Sequence, residues 1–510
     1  MHGQGRGVGV SGPSGKERGG KSSRPRNYRV EAIKNCGSDW RKAVALLSEY
    51  QQIGDVGLIE FNAVIDVCGR HCQSRKALEL LGDMKACGVK PTVVTFGMLI
   101  NACGKELRWK KALEVLDNME GEYRVHPNDF CFSAAISACE MGGQWEKAIE
   151  LFEAMDRRGV PPNVISFNGA ISACEKGGQW EKALKLLEAM DRRGVMPNVI
   201  TFNKAISACE KGGQGDKALK LLEAMDRREV TPDVTSFNAA ISACEKDGQW
   251  EKALELFEAM DRRGVTPDVI SFNAAISACG KGGQWEKALE LLKVMDMRGV
   301  MPDLISFNGA ISACEKGGQW EKALELFEAM DRRGVTSNII SFNAAISACE
   351  KSGQWEKALK LFEAMEGRGV TPNVISFNAL IEALDAVSND DTAMAYMKRA
   401  RIQGLYPKAW VSDTKVDLHD CSAAVARTIM RCLLQDLRSG ERSSNGPITI
   451  VTGRGNNSTD RKAVISTEVR KFLVEFGGPV YTDAPENQGC CVLSVESLRA
   501  WLLGGSLLPK

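Results

Sequence analysis

The feature that most constrains this chain is a string close to ISFNAAISACEKGGQWEKALELFEAMDRRGVTPD that recurs with small changes through its 510 residues. Trp145, Trp180, Trp250, Trp285, Trp320 and Trp355 mark it at steps of 35 residues or twice that, and Gly215 stands where the skipped Trp would be. A fixed period of this length signals stacked supersecondary units rather than one closed core. Ten units tile residues 58–408, beginning at Leu58, Val93, Asp129, Val164, Val199, Val234, Val269, Leu304, Ile339 and Val374, and only the second is 36 long. A degenerate repeat with Trp40 near the Trp position precedes them at 28–57.

Each unit reads as two helices. In the fourth, Phe167, Ala170, Ile171 and Cys174 form an i, i+3, i+4, i+7 stripe, and Gly177 and Gly178 end that helix. A second helix from Trp180 carries Ala183, Leu184, Leu187 and Met190 on one face, and Gly194 and Pro197 stop it. One hairpin cannot bury both stripes, so neighbours must stack into a solenoid.

Seventeen cysteines invite a disulfide or zinc reading, but Cys68, Cys103, Cys139, Cys174, Cys209, Cys244, Cys279, Cys314 and Cys349 fall one per unit, as core side chains would. No metal site is expected from their spacing. Lys+Arg is 66 against Asp+Glu 65, which excludes a blanket of positive charge, so nucleic-acid binding must come from local patches. No apolar run is long enough to span a membrane. Residues 1–27 read as a disordered basic tail or a transit peptide: the first 30 residues hold seven basic side chains against Glu17.

The strings PNVISFN, PDVISFN and PNVITFN, each followed by a GGQWEKALELFEAM-type hairpin, resemble the pentatricopeptide repeat over 58–408. The W-x2-L-G-x2-Y pattern of the tetratricopeptide repeat is absent. The resemblance implies a right-handed α-α solenoid that binds single-stranded RNA and reads about one base per repeat. It assigns reading to unit position 5 and the last unit position, with an apolar side chain at position 2 sandwiching the base. The reading set is then Asn62 with Thr92, Ser133 with Asn163, Asn168 with Asn198, Asn203 with Asp233 and Asn238 with Asp268. It continues with Asn273 and Asp303, Asn308 and Asn338, Asn343 and Asn373, and Asn378, whose last-position partner is Lys408. Gly97, paired with Asn128, has no side chain to read with, and Thr235 replaces the usual apolar residue. By the family's pairing the target runs 5′ pyrimidine, unknown, A, C, U, U, U, C, C, unknown 3′, a pyrimidine-rich strand. Independently of the resemblance, Lys105, Lys176, Lys211, Lys246, Lys281, Lys316 and Lys351 share unit position 13 on the Asn face, a row suited to phosphates. The competing readings are helix C-terminal charge complementation for these lysines and ordinary N-capping for the last-position residues.

After Lys408 the pattern changes. KVDLH, a helix from Ser422, PITIVTG, VISTEVRKFLVEF and GCCVLSV follow in β-α-β-α-β order, implying a small α/β domain over 409–510. The VDLH and TGRG strings resemble the Smr (small MutS-related) domain, which includes nucleases and nucleic-acid binders. That resemblance makes Asp417, His419 and Arg454 candidate catalytic residues and Gly453 and Gly455 a phosphate cradle. A divalent metal enters as a cofactor only if this domain cuts RNA.

Three functions follow as expectations: an RNA-binding protein of organelle RNA processing, stability or translation, a site-directed endoribonuclease, and a protein-binding scaffold. Chloroplast or mitochondrion is the location the family implies, with cytoplasm as the alternative.

Overall fold

The computed structural model describes residues 26–37, 39–54, 56–442, 446–453, 464–484 and 487–504. The basic tail, apart from its last residues, lies outside them. The chain divides into two compact units, residues 1–208 and 209–510.

Before the ten repeats, Arg26–Lys34 and Trp40–Gln52 form a helical pair. Each repeat is then a hairpin. Helix A takes its first 13 residues, from Leu58–Arg70 in the first to Val374–Ala386 in the tenth. Helix B takes 13 more from position 17, from Ser74–Ala86 to Asp390–Ile402. Gly178, at φ +67°, turns the chain between helices A and B of the fourth repeat, a left-handed conformation that favours glycine. Glu229 holds a matching conformation (φ +57°) after helix B of the fifth repeat, where most others have Gly.

Inside each compact unit, helix A packs on helix B of its own hairpin and on helix A of the next. In the seventh repeat Phe272, Ala275, Ile276 and Cys279 of helix A meet Ala288, Leu292 and Met295 of helix B, all buried. Phe257 of the preceding helix B meets Phe272 edge-to-face at 4.8 Å. The nine periodic cysteines are buried free thiols, and burial pushes each up to about 11, so they act as small apolar side chains.

The marker Trp has a partner in the next repeat. Trp145 lies on Gly177, where an added Cβ would come within 2.5 Å of the indole. Gly215 lacks that indole, and the matching glycine of the following repeat is Asp247, whose side chain closes the gap. Exposed to solvent, Arg298 and Arg333 form two-pronged pairs with Asp261 and Asp296 of the preceding repeat at 2.6–2.8 Å. Arg263 with Asp226 and Arg368 with Asp331 continue the ladder.

The C-terminal region belongs to the same compact unit as repeats six to ten. Its sheet has the order β1-β2-β4-β3, from β1 (Lys415–Asp417), β2 (Ile448–Val451), β3 (Tyr481–Ala484) and β4 (Asn487–Leu493). β1 and β2 are parallel and the other pairs antiparallel. Ala423–Ser439, capped by Ser422, and Val464–Glu475 are the expected helices. β3 and a last helix, Val495–Leu503, add to the five-element order expected from the sequence. The region is clamped to repeat ten by two buried carboxylates: Asp385 takes Arg427 and Arg431, and Asp436 takes Arg401 at 2.7 Å and Lys398 at 3.3 Å. Asp385 and Asp436 are themselves only 6% and 3% exposed, so replacing the cations around either one leaves a buried carboxylate uncompensated.

Candidate nucleic-acid interface

In repeats one to nine the last residue is the N-cap of the next helix A, and this capping builds the candidate reading pair. Asp268 Oδ1 accepts from the Ser271 backbone N–H at 2.9 Å, and Ser271 Oγ accepts from the Asp268 N–H at 3.1 Å. Ser271 Oγ then donates to Asn238 Oδ1 of the preceding repeat at 2.5 Å, and Asn238 Nδ2 donates to Asp268 Oδ1 at 3.0 Å. The position 3 hydroxyl thus orients the position 5 amide. The contact recurs as Thr95 to Asn62 (2.8 Å), Thr201 to Asn168 (2.7 Å) and Ser306 to Asn273 (2.5 Å). Ser341 to Asn308 and Ser376 to Asn343 repeat it at 2.6 Å. Asn273 Nδ2 reaches Asp303 Oδ1 at 3.1 Å, and Asn343 Nδ2 reaches Asn373 Oδ1 at 3.4 Å. Asn203 and Asp233 hold the same positions in the fifth repeat.

With its carbonyl occupied, each of these amides has only N–H left to offer a ligand. Asp303 spends Oδ1 on the cap and on Asn273; among the described residues no hydrogen bond uses its Oδ2. Burial on its own would raise the Asp268 and Asp303 carboxyls, but the bonds from Ser271 and Asn238, or Ser306 and Asn273, outweigh it and hold both below the usual carboxylate value. In Asn338 and Asn373 the cap likewise uses Oδ1.

Beside these polar groups the position 2 side chains stand in water. Ile165, Ile270, Ile305, Ile340 and Ile375 are 58–67% exposed, which nothing in the fold requires of an isoleucine. Three positions depart from the pattern. The Phe130 ring covers Gly97, in the space a reading side chain would take. Ser133 is buried and its hydroxyl has no partner among the described residues, while Asn163 spends its amide on Asp129 at 2.8 Å. Thr235 is exposed where the isoleucines are.

The lysine row is not bare. Lys176, Lys246, Lys281 and Lys351 pair with Glu140, Glu210, Glu245 and Glu315 of the preceding repeat at 2.6–2.9 Å. For Lys105 and Lys316 the matching residue is Gly69 or Gly280, and neither lysine has an ion pair among the described residues. Lys211 holds the same place in the fifth repeat.

In the C-terminal region Asp417, His419 and Gly453 come together after the parallel strands β1 and β2. His419 Nδ1 lies 2.5 Å from Asp417 Oδ1, and Nε2 lies 3.1 Å from Asp420 Oδ1. An added Cβ on Gly453 (φ +76°) would lie 3.3 Å from that of His419. Arg454 and Gly455 fall outside the described residues. Among the described residues no group of three or more His, Cys, Asp or Glu could hold a metal ion, and no helix is long and apolar enough to cross a membrane.

Sequence reasoning missed the position 3 hydroxyls, the position 12 glutamates and Tyr406, whose OH donates to Asn378 Oδ1 at 2.6 Å. A signal for the first was present: a Ser or Thr stands two residues before Asn in nearly every SFN or TFN string.

These features define the class: an α-solenoid of helical hairpins with polar pairs and exposed aliphatic side chains in register. The PPR repeat family matches residues 58–105, 127–176, 162–211, 197–244, 232–281, 267–316, 302–349 and 337–384, and a second PPR repeat pattern matches 94–123. These matches cover more than half of the chain, which belongs to the pentatricopeptide repeat family. No curated protein sequence matches it. Among solved structures, the pentatricopeptide repeat protein PPR10 from maize is 22% identical over 87% of this chain and 65% of its own, with a TM-score of 0.46. PPR10 in complex with an 18-nt psaJ RNA element is 24% identical over 81% of this chain and 56% of its own, TM-score 0.36. The PPR domain of Arabidopsis thaliana protein-only RNase P 1, in complex with tRNA, is 18% identical over 36% of this chain and 97% of its own, TM-score 0.33. The chain thus spans less than two thirds of the PPR10 molecules it resembles.

Proposed function

We propose that this protein binds single-stranded RNA, one base per repeat, with a preference for pyrimidine-rich sequence. The observation that carries the reading is the juxtaposition of exposed isoleucines with oriented amides. An aliphatic side chain held in water gains by covering a base face, and the amide beside it offers a hydrogen bond to that base's edge.

The capping network supports the pairing that the family resemblance implies. In repeats six and seven, Asn with Asp offers one donor and one carboxylate acceptor, a set that meets uracil through O4 or O2 and N3–H. In repeats eight and nine, Asn with Asn offers two donors, because the cap occupies the second carbonyl. Two neighbouring acceptors, as cytosine O2 and N3 provide, suit that set; uracil has no such adjacent pair. The expected target is pyrimidine, any, A, C, U, U, U, C, C. The test is fluorescence anisotropy with labelled short RNAs. The predicted strand binds at least tenfold tighter than poly-A; equal affinities defeat the proposal.

A second reading, site-directed RNA cleavage by an Smr-like C-terminal region, is favoured by one observation: the Asp417–His419 pair beside Gly453. Against it, the second nitrogen of His419 already faces Asp420, leaving neither nitrogen open for proton transfer in this arrangement. Incubation of the predicted RNA with the protein and divalent cations decides: cuts abolished by His419→Ala establish the reading. Binding with no cut leaves an RNA-binding protein. An organelle role rests on the family alone, and imaging of a tagged full chain tests it.

A further inference from the structure

In repeats six to nine the position 3 hydroxyl of the next hairpin orients the reading amide. Repeat ten has no successor, and its reading position meets a cavity of about 280 Å³ instead. Asn378 lines this cavity together with Tyr406, Lys408, Asp417, His419 and Asp420. The remaining wall is apolar, from Val374, Leu405, Pro407, Ala409 and Val425.

Tyr406 replaces the serine that orients the other amides. Its buried OH bonds Asn378 Oδ1 at 2.6 Å, and no hydrogen bond among the described residues uses the Asn378 Nδ2. Where other repeats place a capping Asp or Asn, this one places Lys408, whose Nζ lies 3.3 Å from Asp420 Oδ2 and whose side chain is 78% exposed. The polar lining therefore carries two donors, the Asn378 amide and the Lys408 ammonium, with the Asp417 and Asp420 carboxylates beside them to take an exocyclic amine. The size is near the lower end of small-ligand sites, roughly 300 Å³, which is room for one base ring. Asp417 and Asp420 repel a phosphate, so a phosphate stays at the rim beside Lys408.

We propose that this cavity is a subsite for a single nucleobase bearing two neighbouring acceptors, cytosine (O2, N3) or guanine (O6, N7), at the 3′ end of the bound RNA. The site is composite. Asn378 comes from the repeat, and Tyr406, Lys408 and the His419 loop come from the chain that follows its helices. The selectivity for the final base thus depends on the C-terminal region, and the Asp417–His419 pair lies against that base. The inference rests on the RNA-binding reading above.

The test uses the full chain and two sets of RNA. One is the nine-nucleotide predicted strand. The other adds a tenth 3′ nucleotide: C, G, U, A or an abasic residue. Strands ending in C or G bind about tenfold tighter than the nine-mer, and the abasic strand binds like the nine-mer. In Asn378→Ala the C-ending strand and the abasic strand bind equally. Lys408→Ala, at an exposed position that cannot unfold the protein, loses part of the gain, and Tyr406→Phe narrows the gap between C and U. A nine-mer that binds while every tenth nucleotide adds nothing, or adds equally whatever its base, overturns the subsite. A nine-mer that does not bind overturns the RNA-binding reading instead.

Discussion

Ser271 sits two residues before Asn273 in the string that marks each repeat, yet its hydroxyl bonds backward to Asn238. Without that bond the Asn238 amide is held only through Nδ2 to Asp268 Oδ1, and its orientation loosens. Ser271→Ala should therefore cut the uracil-over-cytosine preference at repeat six severalfold and, by losing part of a capping box, cost about 1 kcal/mol of stability. Ser271→Thr should restore both, since Thr95 and Thr201 make the same contact in other repeats. Competition binding and thermal melts read the two effects; full discrimination in the alanine variant contradicts the orienting role. Asp268 carries a pH prediction. Its folded pKa is depressed, so its contribution to stability is complete above the ordinary value of about 3.9 and is lost as pH falls through the folded value. The carboxylate acceptor consequently persists from pH 5 to 8, and the preference at repeat six should be flat across that range. The register of the candidate reading positions was legible in the sequence because ten copies repeat it, while their role is what the family resemblance implies. The hydroxyl bonds were not, because they join residues 33 apart in different hairpins.

Helix ends and helix contacts were legible for the same reason of periodicity. Gly215 shows the limit: the sequence marks a missing Trp, but only the packing shows that Asp247 of the next repeat takes its room. Gly215→Trp alone should lower the melting temperature by driving the indole into Asp247, and Gly215→Trp with Asp247→Gly should recover it, restoring the Trp–Gly pair of the other repeats. Additive losses in the double variant contradict the exchange. Glu229 is a second local departure, and Glu229→Gly should stabilise the protein by about 1 kcal/mol by relieving its left-handed backbone. β3 escaped the sequence reading because it is only four residues long and its burial, with two exposed residues at the centre, does not alternate.

At the scale of the whole molecule, stacking sets the charge pattern. The sequence displays the lysines, but the glutamates that neutralise four of them lie 36 residues back and meet them only when hairpins stack. Lys316, which has no such partner, should contribute more to RNA binding than Lys281. Lys316→Ala should reduce the slope of log affinity against log salt by about 1, and Lys281→Ala by clearly less. The exposed Arg–Asp ladder follows the same logic. Hydrogen bonds from Arg298 and Arg333 hold Asp261 and Asp296 below the usual carboxylate value, so the ladder is intact at neutral pH and is lost only in acid, as pH falls through those depressed values. The most direct measurement of the central claim is ultraviolet crosslinking of the full chain to a random RNA pool, followed by sequencing of the bound strands. The oriented pairs predict an enriched motif in which C, U, U, U, C, C run in that order. Bound RNA with no shared motif, or with a purine-rich one, contradicts the account.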